Sequence, residues 1–281
     1  MEINQKYFYL LLFVFLFALN DNKAQSSTFY LGGAHTLSLA NTGSTFTGIS
    51  SIYTNPAGLT SLNHWEADIS YNRRYSLEDL ATTSVAVATK IGNNAVGITV
   101  ARYGFELYSE SKIGLTYARK LFSNLSIGGT FDMLRYDVGQ YGAATKFTFE
   151  LGVQSKISEK IIVGAYVFNP GNLPLTDSQD IPSLFTLGVK YLASKKAKIY
   201  VDISKTINRT PDFKFSVDYH IVHGVSLRAG ANITQHSIHF GPAYKFDNGL
   251  TIVGGYSFDN RLGHTAGLSI SKGVKLVSAS Q

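Results

Sequence analysis

The stretch Phe213-Lys214-Phe215-Ser216-Val217-Asp218-Tyr219-His220-Ile221 decides the fold. Successive side chains of an extended strand point to opposite faces. Phe213, Phe215, Val217, Tyr219 and Ile221 therefore share one face, while Lys214, Ser216, Asp218 and His220 share the other. A helical period of 3.6 would mix the two sets. The same alternation sets Ile199, Val201 and Ile203 against Lys198, Tyr200, Asp202 and Ser204, and Phe147, Phe149, Leu151 and Val153 against Thr148, Glu150 and Gly152. Working outward, about fourteen such stretches begin near Trp65, Ser84, Ala95, Ile113, Leu125, Lys146, Ile161, Leu184, Ala197, Phe213, Val225, Ile238, Leu250 and Thr265. The connections alternate between tight ones, such as Gly92 to Asn94 and Val222 to Gly224, and longer ones, of which Asn169 to Pro182 is the longest.

A two-faced strand suits either a soluble β-protein, with the apolar face turned to a core, or a membrane barrel, with that face turned to lipid. Composition separates them. Charged residues make up 16% of the chain, against about 25% in a soluble domain, and the polar faces carry mostly Ser, Thr and Gly. A soluble sandwich could not cover its exterior with so little charge. Aromatic residues near strand ends, including Trp65, Tyr71, Tyr103, Tyr136, Phe168, Tyr191, Tyr244, Phe246 and Phe258, suit interfacial girdles. The reading is all-β: a transmembrane antiparallel β-barrel of about 14 strands, an even number with strands near the roughly 9 to 11 residues that cross a bilayer.

The ends follow from this. Lys6, the apolar run Tyr7 to Leu19 and a polar stretch to Ala24 predict a signal peptide over 1–24, because the run is shorter than the roughly 20 residues of a membrane helix. The barrel is assigned to 64–275 and a tail to 276–281, which ends on Ser280-Gln281 and lacks a terminal aromatic residue. The 281 residues contain no cysteine, so no disulfide, thiolate metal site or cysteine nucleophile is available. A net charge of +6 without a run of Lys and Arg gives no nucleic-acid patch. Ser, His and Asp residues are scattered without a Gly-x-Ser-x-Gly elbow, a His-Glu-x-x-His helix or a phosphate loop. No catalytic, metal or cofactor site is expected, and the chain is read as a non-enzyme.

With the apolar face toward lipid, parity lists the lumen charges: Glu66, Asp68, Asp132, Glu150, Asp202 and Asp218 against Lys190, Lys198, Lys214, Arg228 and Lys245, with His220 and His239. The near balance favours ion pairs across the wall over a charge-selective pore. The Val222-His223-Gly224 turn puts Asp218 opposite Arg228, and Asp202 with Lys214 forms a second candidate pair.

Residues 25–63 lack the alternation and are rich in small residues from Gly32-Gly33-Ala34 to Ser51, followed by Asn55-Pro56-Ala57-Gly58-Leu59. Small residues suit a segment 25–63 that packs against the barrel wall and plugs it, with a flexible periplasmic arm as the alternative reading. Gly32-Gly33-Ala34, Leu39-Ala40 and Ile52 to Leu59, standing directly before a barrel, resemble the N-terminal hatch of the FadL superfamily, which includes the FadL fatty-acid transporters and the PorV and PorQ proteins of type IX secretion. The resemblance implies a plugged barrel of fourteen strands in the outer membrane, and hatch residues Gly32, Gly33, Asn55, Pro56, Ala57 and Gly58. It leaves two functions open. A PorV/PorQ-like accessory subunit would dock other protein subunits of an export or assembly machine, using the loop with Pro170, Leu173, Pro174, Leu175 and Pro182; short loops elsewhere favour this reading. A FadL-like transporter would instead take a hydrophobic ligand and pass it through a lateral opening.

Overall fold

The computed structural model describes residues 32–176 and 179–273; the signal peptide assigned to 1–24, the start of the segment 25–63 and the tail 276–281 lie outside them. The strands are β1 (Glu66–Arg73), β2 (Ala81–Ile91), β3 (Asn94–Gly104), β4 (Ser109–Phe122), β5 (Leu125–Val138), β6 (Gly142–Lys156), β7 (Ile161–Phe168), β8 (Pro174–Thr176), β9 (Gln179–Asp180), β10 (Leu184–Leu192), β11 (Ala197–Thr206), β12 (Asp212–Val222), β13 (Val225–Asn232), β14 (Ser237–Lys245), β15 (Leu250–Asp259) and β16 (Gly263–Gly273). All but β8 and β9, which form a small hairpin, close into one barrel of sequential neighbours, with β16 returning to β1. Every pairing in the barrel is antiparallel, from Glu66 opposite Ala88 on one side of β1 to Glu66 opposite Gly273 on the other.

The two faces of β12 establish which way the wall is turned. Phe215 is 44% exposed, whereas its neighbours Ser216 and Asp218 are 0% and 4% exposed. The same inversion holds along β2, where Val85 and Val87 are exposed and Ser84, Ala86 and Ala88 are buried. The polar set lines the interior and the apolar set covers the outside, the arrangement of a barrel whose solvent is lipid. No helix of the described residues is long and apolar enough to cross a membrane.

Two details differ from the sequence reading. Strands β4, β5 and β6 run for 14, 14 and 15 residues, and β4 and β6 begin at Ser109 and Gly142, before the apolar alternation at Ile113 and Phe147. The outward residues just before Ile113 and Phe147 are polar, Ser111 and Thr145, and face Arg135 of β5, so this part of the wall stands beyond the apolar band. Tyr136 and Phe168, assigned above to the outer girdle, are 7% and 5% exposed and point inward; their parity is that of Leu134 and Tyr166, the lumen set.

Inside the barrel the segment 32–62 forms a short helix α1 (Gly33–Leu37) and two 3-10 turns, Ile49–Tyr53 and Pro56–Ser61. In one cluster of the core it supplies the large apolar groups, among them Ile52, Leu59 and Leu62, and the wall meets them with Ala86, Ala88, Ala95, Ala101 and Ala118. A wall of small residues around a segment with large ones reaches interior packing density without widening the barrel.

Candidate functional site: a ring around the lumen and the chamber beside it

The segment runs once around the inner wall, and at nearly every strand the inward residue it meets is a glycine or a hydrogen-bonding group. Added Cβ atoms would lie 2.9 Å from Ser38 at Gly241, 3.0 Å from Ala40 at Gly230, 2.1 Å from the Ser44 carbonyl at Gly164, 2.1 Å from Asn55 at Gly152 and 2.6 Å from Pro56 at Gly128. Contacts this short are rare or absent for real Cβ atoms, so the segment packs closely on the wall at these positions, although at Gly241 and Gly230 the nearest atoms belong to the neighbouring strands themselves. Between them, Thr42 Oγ1 lies 2.9 Å from Ser216 Oγ, and Gly43 N, Ser44 N and Ser44 Oγ donate to Asp202 at 2.8, 3.0 and 2.8 Å. Lys190 Nζ donates to Thr45 O at 2.9 Å, and Gln154 donates to the carbonyls of Ser44 and Phe46. His239 Nδ1 donates to Leu37 O at 2.8 Å.

Each residue of Asn55-Pro56-Ala57-Gly58 has its own reason. Asn55 Oδ1 accepts from Ala57 N at 3.2 Å, capping the 3-10 turn that Pro56 opens. Its amide reaches Ser44 O at 2.6 Å and the wall carbonyls of Val153 and Ala165 at 3.2 Å. Pro56 rests on Gly128, Ala57 is fully buried, and a Cβ on Gly58 would fall 2.2 Å from Phe46 O. At the other end Gly33 has φ +49 and room for no side chain, because its Cβ would lie 2.5 Å from Ser70. Asp68 gathers His35 Nε2 at 2.9 Å, the Tyr53 hydroxyl at 2.9 Å and the Ser70 hydroxyl at 2.7 Å. Burial first, then the charge of Asp68, pushes the Tyr53 hydroxyl well above its ordinary pKa, so it remains a donor to that carboxylate.

The candidate lumen pairs take different forms. Asp218 and Arg228 stand in register, with Arg228 Nε 3.6 Å from Asp218 Oδ2, too far for a hydrogen bond. Asp202 and Lys214 are also opposite each other but do not bond directly. The Asp202 carboxylate is occupied by Gly43 and Ser44, and Lys214 Nζ donates to Ser204 Oγ at 3.1 Å and Asn41 O at 3.4 Å. The close buried ion cluster is one that the parity list did not assemble: Lys112 Nζ is 3.2 Å from Asp132 Oδ1 and also bonds Glu150 Oε1. Lys112 and Glu110 precede the apolar alternation that begins at Ile113, and because β4 starts at Ser109 both fall on the inward face.

The loop between β7 and β10 turns into the barrel. Asn169, in a left-handed conformation at φ 50 that asparagine tolerates, accepts from Thr148 Oγ1 and donates to Ile181 O at 2.8 Å. Ile181 is 1% exposed and sits among Leu134, Tyr136 and Phe168, with Leu175 and Leu184 against it. Pro170 and Pro182 are half-buried, while Leu173 and Pro174 face out.

Beside the segment, and reaching Phe168 and Leu184 at the two ends of this loop, lies a cavity of about 100 Å³. Lys112, Glu150, Tyr166, Phe168, Leu184 and Thr186 line one side, and Asp202, Asp212 and Lys214 line the other. On the outside of the same wall a hollow of about 430 Å³ is bordered by Leu151, Val153, Ala165, Val167, Phe185 and Leu187, and again by Tyr166 and Thr186. Ala165 is the small residue that leaves this hollow among larger neighbours.

No family model matches the sequence. No curated protein matches it significantly. Solved structures do. The Ralstonia pickettii toluene transporter TbuX aligns with a TM-score of 0.67 at 12% identity, covering 87% of this chain and 98% of its own. A Pseudomonas aeruginosa FadL homologue aligns at 0.64 and 14% identity, with 85% and 97% covered. The Pseudomonas putida toluene transporter TodX aligns at 0.60 and 12% identity, with 84% and 95% covered. At these identities the likeness is one of fold: a closed, antiparallel, fourteen-strand barrel of the kind found in FadL-type proteins.

Proposed function

We propose that the chain is an outer-membrane barrel that admits small hydrophobic molecules, with the segment 25–63 as its hatch. The observation that carries this reading is the placement of Tyr166 and Thr186, which border both the internal cavity and the lipid-facing hollow. Their side chains face the cavity and their paired backbone borders the hollow, so at this point a molecule in the chamber is one strand's thickness from the outer face, while the segment lies across the axial route. The neighbours of like fold are described as toluene transporters and a FadL homologue, and this supports transport over the PorV/PorQ-like docking role. The docking role relied on a projecting loop with Leu173, Pro174 and Leu175; the turning of Ile181 and Leu175 into the lumen leaves only a small apolar surface to present. Type IX secretion partners have no further support.

The test is uptake. Liposomes containing the purified protein should take up toluene faster than empty ones, and Ala165→Trp, which fills the outer hollow without touching the lumen, should slow that uptake while the barrel remains folded. Equal rates with and without protein would remove the reading.

A further inference from the structure

We infer that the outer surface of β3 to β5 carries a binding site for the phosphate of an outer-leaflet lipid. The inference goes beyond the transport reading and depends only on the wall facing lipid. Antiparallel register sets Thr83, Arg102, Ser111, Arg135 and Thr145 side by side across β2 to β6. Parity turns this row outward: Thr83, Arg102, Arg135 and Thr145 are exposed, whereas the adjacent Ala101 and Leu134 are buried. Two residues away on each strand the outward row is Val85, Val100, Ile113, Met133 and Phe147, again in register. The edge of the apolar band therefore runs between the two rows, and both arginines stand just on its polar side. This is the rim that carries the 74–80 and 169–183 connections, and the longer-looped rim of an outer-membrane barrel faces the exterior. Lipid phosphates lie at this depth, immediately beyond the hydrocarbon.

The chemistry of the row selects a phosphate. Only β4 separates Arg102 from Arg135, so their Cα atoms are roughly 10 Å apart, and two side chains of that length can meet over Ser111, whose hydroxyl adds a donor. A guanidinium offers a planar fork that matches phosphate oxygens in pairs. The charge of the two arginines is largely available. Arg73, the outward arginine of β1, is held by Glu78 at 3.5 Å, whereas Arg102 makes no ion pair among the described residues. Arg135 meets Asp137 through Nη2 at 3.2 Å, but the two side chains are 53% and 43% exposed; such a solvated pair is weak, and the other nitrogens of Arg135 remain for a ligand. The apolar row completes the site. Val100, Ile113 and Phe147 are exposed directly beside the arginines, so a molecule with a phosphate head and hydrocarbon chains covers both rows at once, which a soluble anion cannot do.

Native mass spectrometry of the purified full-length protein in detergent, titrated with dioleoyl phosphatidic acid, tests this. Dioleoyl phosphatidylcholine serves as the zwitterionic lipid with the same chains, and inorganic phosphate as the anion without chains. Phosphatidic acid should bind about tenfold more tightly than phosphatidylcholine, and inorganic phosphate at equal concentration should not displace it. Arg102→Gln and Arg135→Gln should each weaken phosphatidic acid about fivefold, and the double variant about 25-fold, at roughly one surface-charge contact per arginine. Arg119→Gln is the control, because Arg119 is also exposed but lies at the tight-turn rim beside Asn94 and Ile127; it should change nothing. Should a variant fail to fold, the ranking of the three ligands on the unaltered protein still decides. Equal binding of the two lipids, a preference that survives the double variant, an equal loss in Arg119→Gln, or displacement by inorganic phosphate would each overturn the inference. Toluene uptake should be the same in all these variants, so the transport reading stands or falls separately.

Discussion

The two sides of the lumen use buried charge in opposite ways. Along β10 to β14, Lys190, Asp202, Lys214 and His239 direct their hydrogen bonds to the backbone and side chains of the inner segment. Along β4 to β6, Lys112, Asp132 and Glu150 are held against one another. The first arrangement ties a separate piece to the wall; the second joins three neighbouring strands. The difference predicts that a lost charge on one side frees the segment, whereas on the other it strands the remaining charges inside the wall.

The largest effect should come from the second side. Lys112→Met leaves two carboxylates facing each other without a cation, and loss of one member of a buried ionic group costs about 3 to 5 kcal/mol. Urea unfolding in detergent should show that loss, and adding Asp132→Asn should recover part of it. An unchanged midpoint for the single variant would mean that water reaches the cluster. On the first side, Gly164→Val drives a side chain into the Ser44 carbonyl; overpacking of this kind costs about 1 to 3 kcal/mol. Its signature should be local. Hydrogen exchange at residues 43–46 should accelerate while the barrel strands keep their protection, and uniform exchange would contradict the separation drawn here. Asp218→Ala tests an intermediate case. Arg228 is 15% exposed and 3.6 Å away, so the loss should fall between the roughly 1 kcal/mol of an exposed pair and the 3 to 5 kcal/mol of a buried one.

The barrel could be read from the sequence because a lipid-facing wall imposes one rule on every strand, and Phe213 to Ile221 states that rule in nine residues. The chamber was harder to see for reasons that are equally physical. Lys112 belongs to a part of β4 whose outward partner Ser111 is polar, so alternation gives no signal there. Ile181 sits in a loop, where an apolar residue has no parity to say which way it points. The ring left a trace that parity could have used: Gly152, Gly164, Gly188, Gly230 and Gly241 all occupy inward positions on separate strands, and a strand keeps such a residue where another backbone approaches. Counting inward glycines as well as inward charges would have indicated a segment that circles the lumen. It would not have shown that Asp202 binds that segment instead of Lys214, since two groups in register across a pair of strands remain free to choose other partners.

The smallest effect on stability, and the most informative for function, is expected at Ile181. Its side chain is 1% exposed among Leu134, Tyr136 and Phe168, and truncation of a buried isoleucine ordinarily costs about 2 to 5 kcal/mol. Here most of that cost should be absorbed locally, because the 169–183 loop can open without unpairing a barrel strand, and local opening leaves the global unfolding transition largely unmoved. Ile181→Ala should therefore shift the thermal midpoint little, while enlarging the space next to Phe168 and Leu184, which line the cavity. Toluene uptake into liposomes should rise several-fold if the loop limits entry. Ala165→Trp in the same background should cancel that gain, because the outer hollow would then limit exit. A rise that Ala165→Trp leaves intact would mean that molecules leave the chamber by another route, past the ring instead of through the wall at Tyr166 and Thr186.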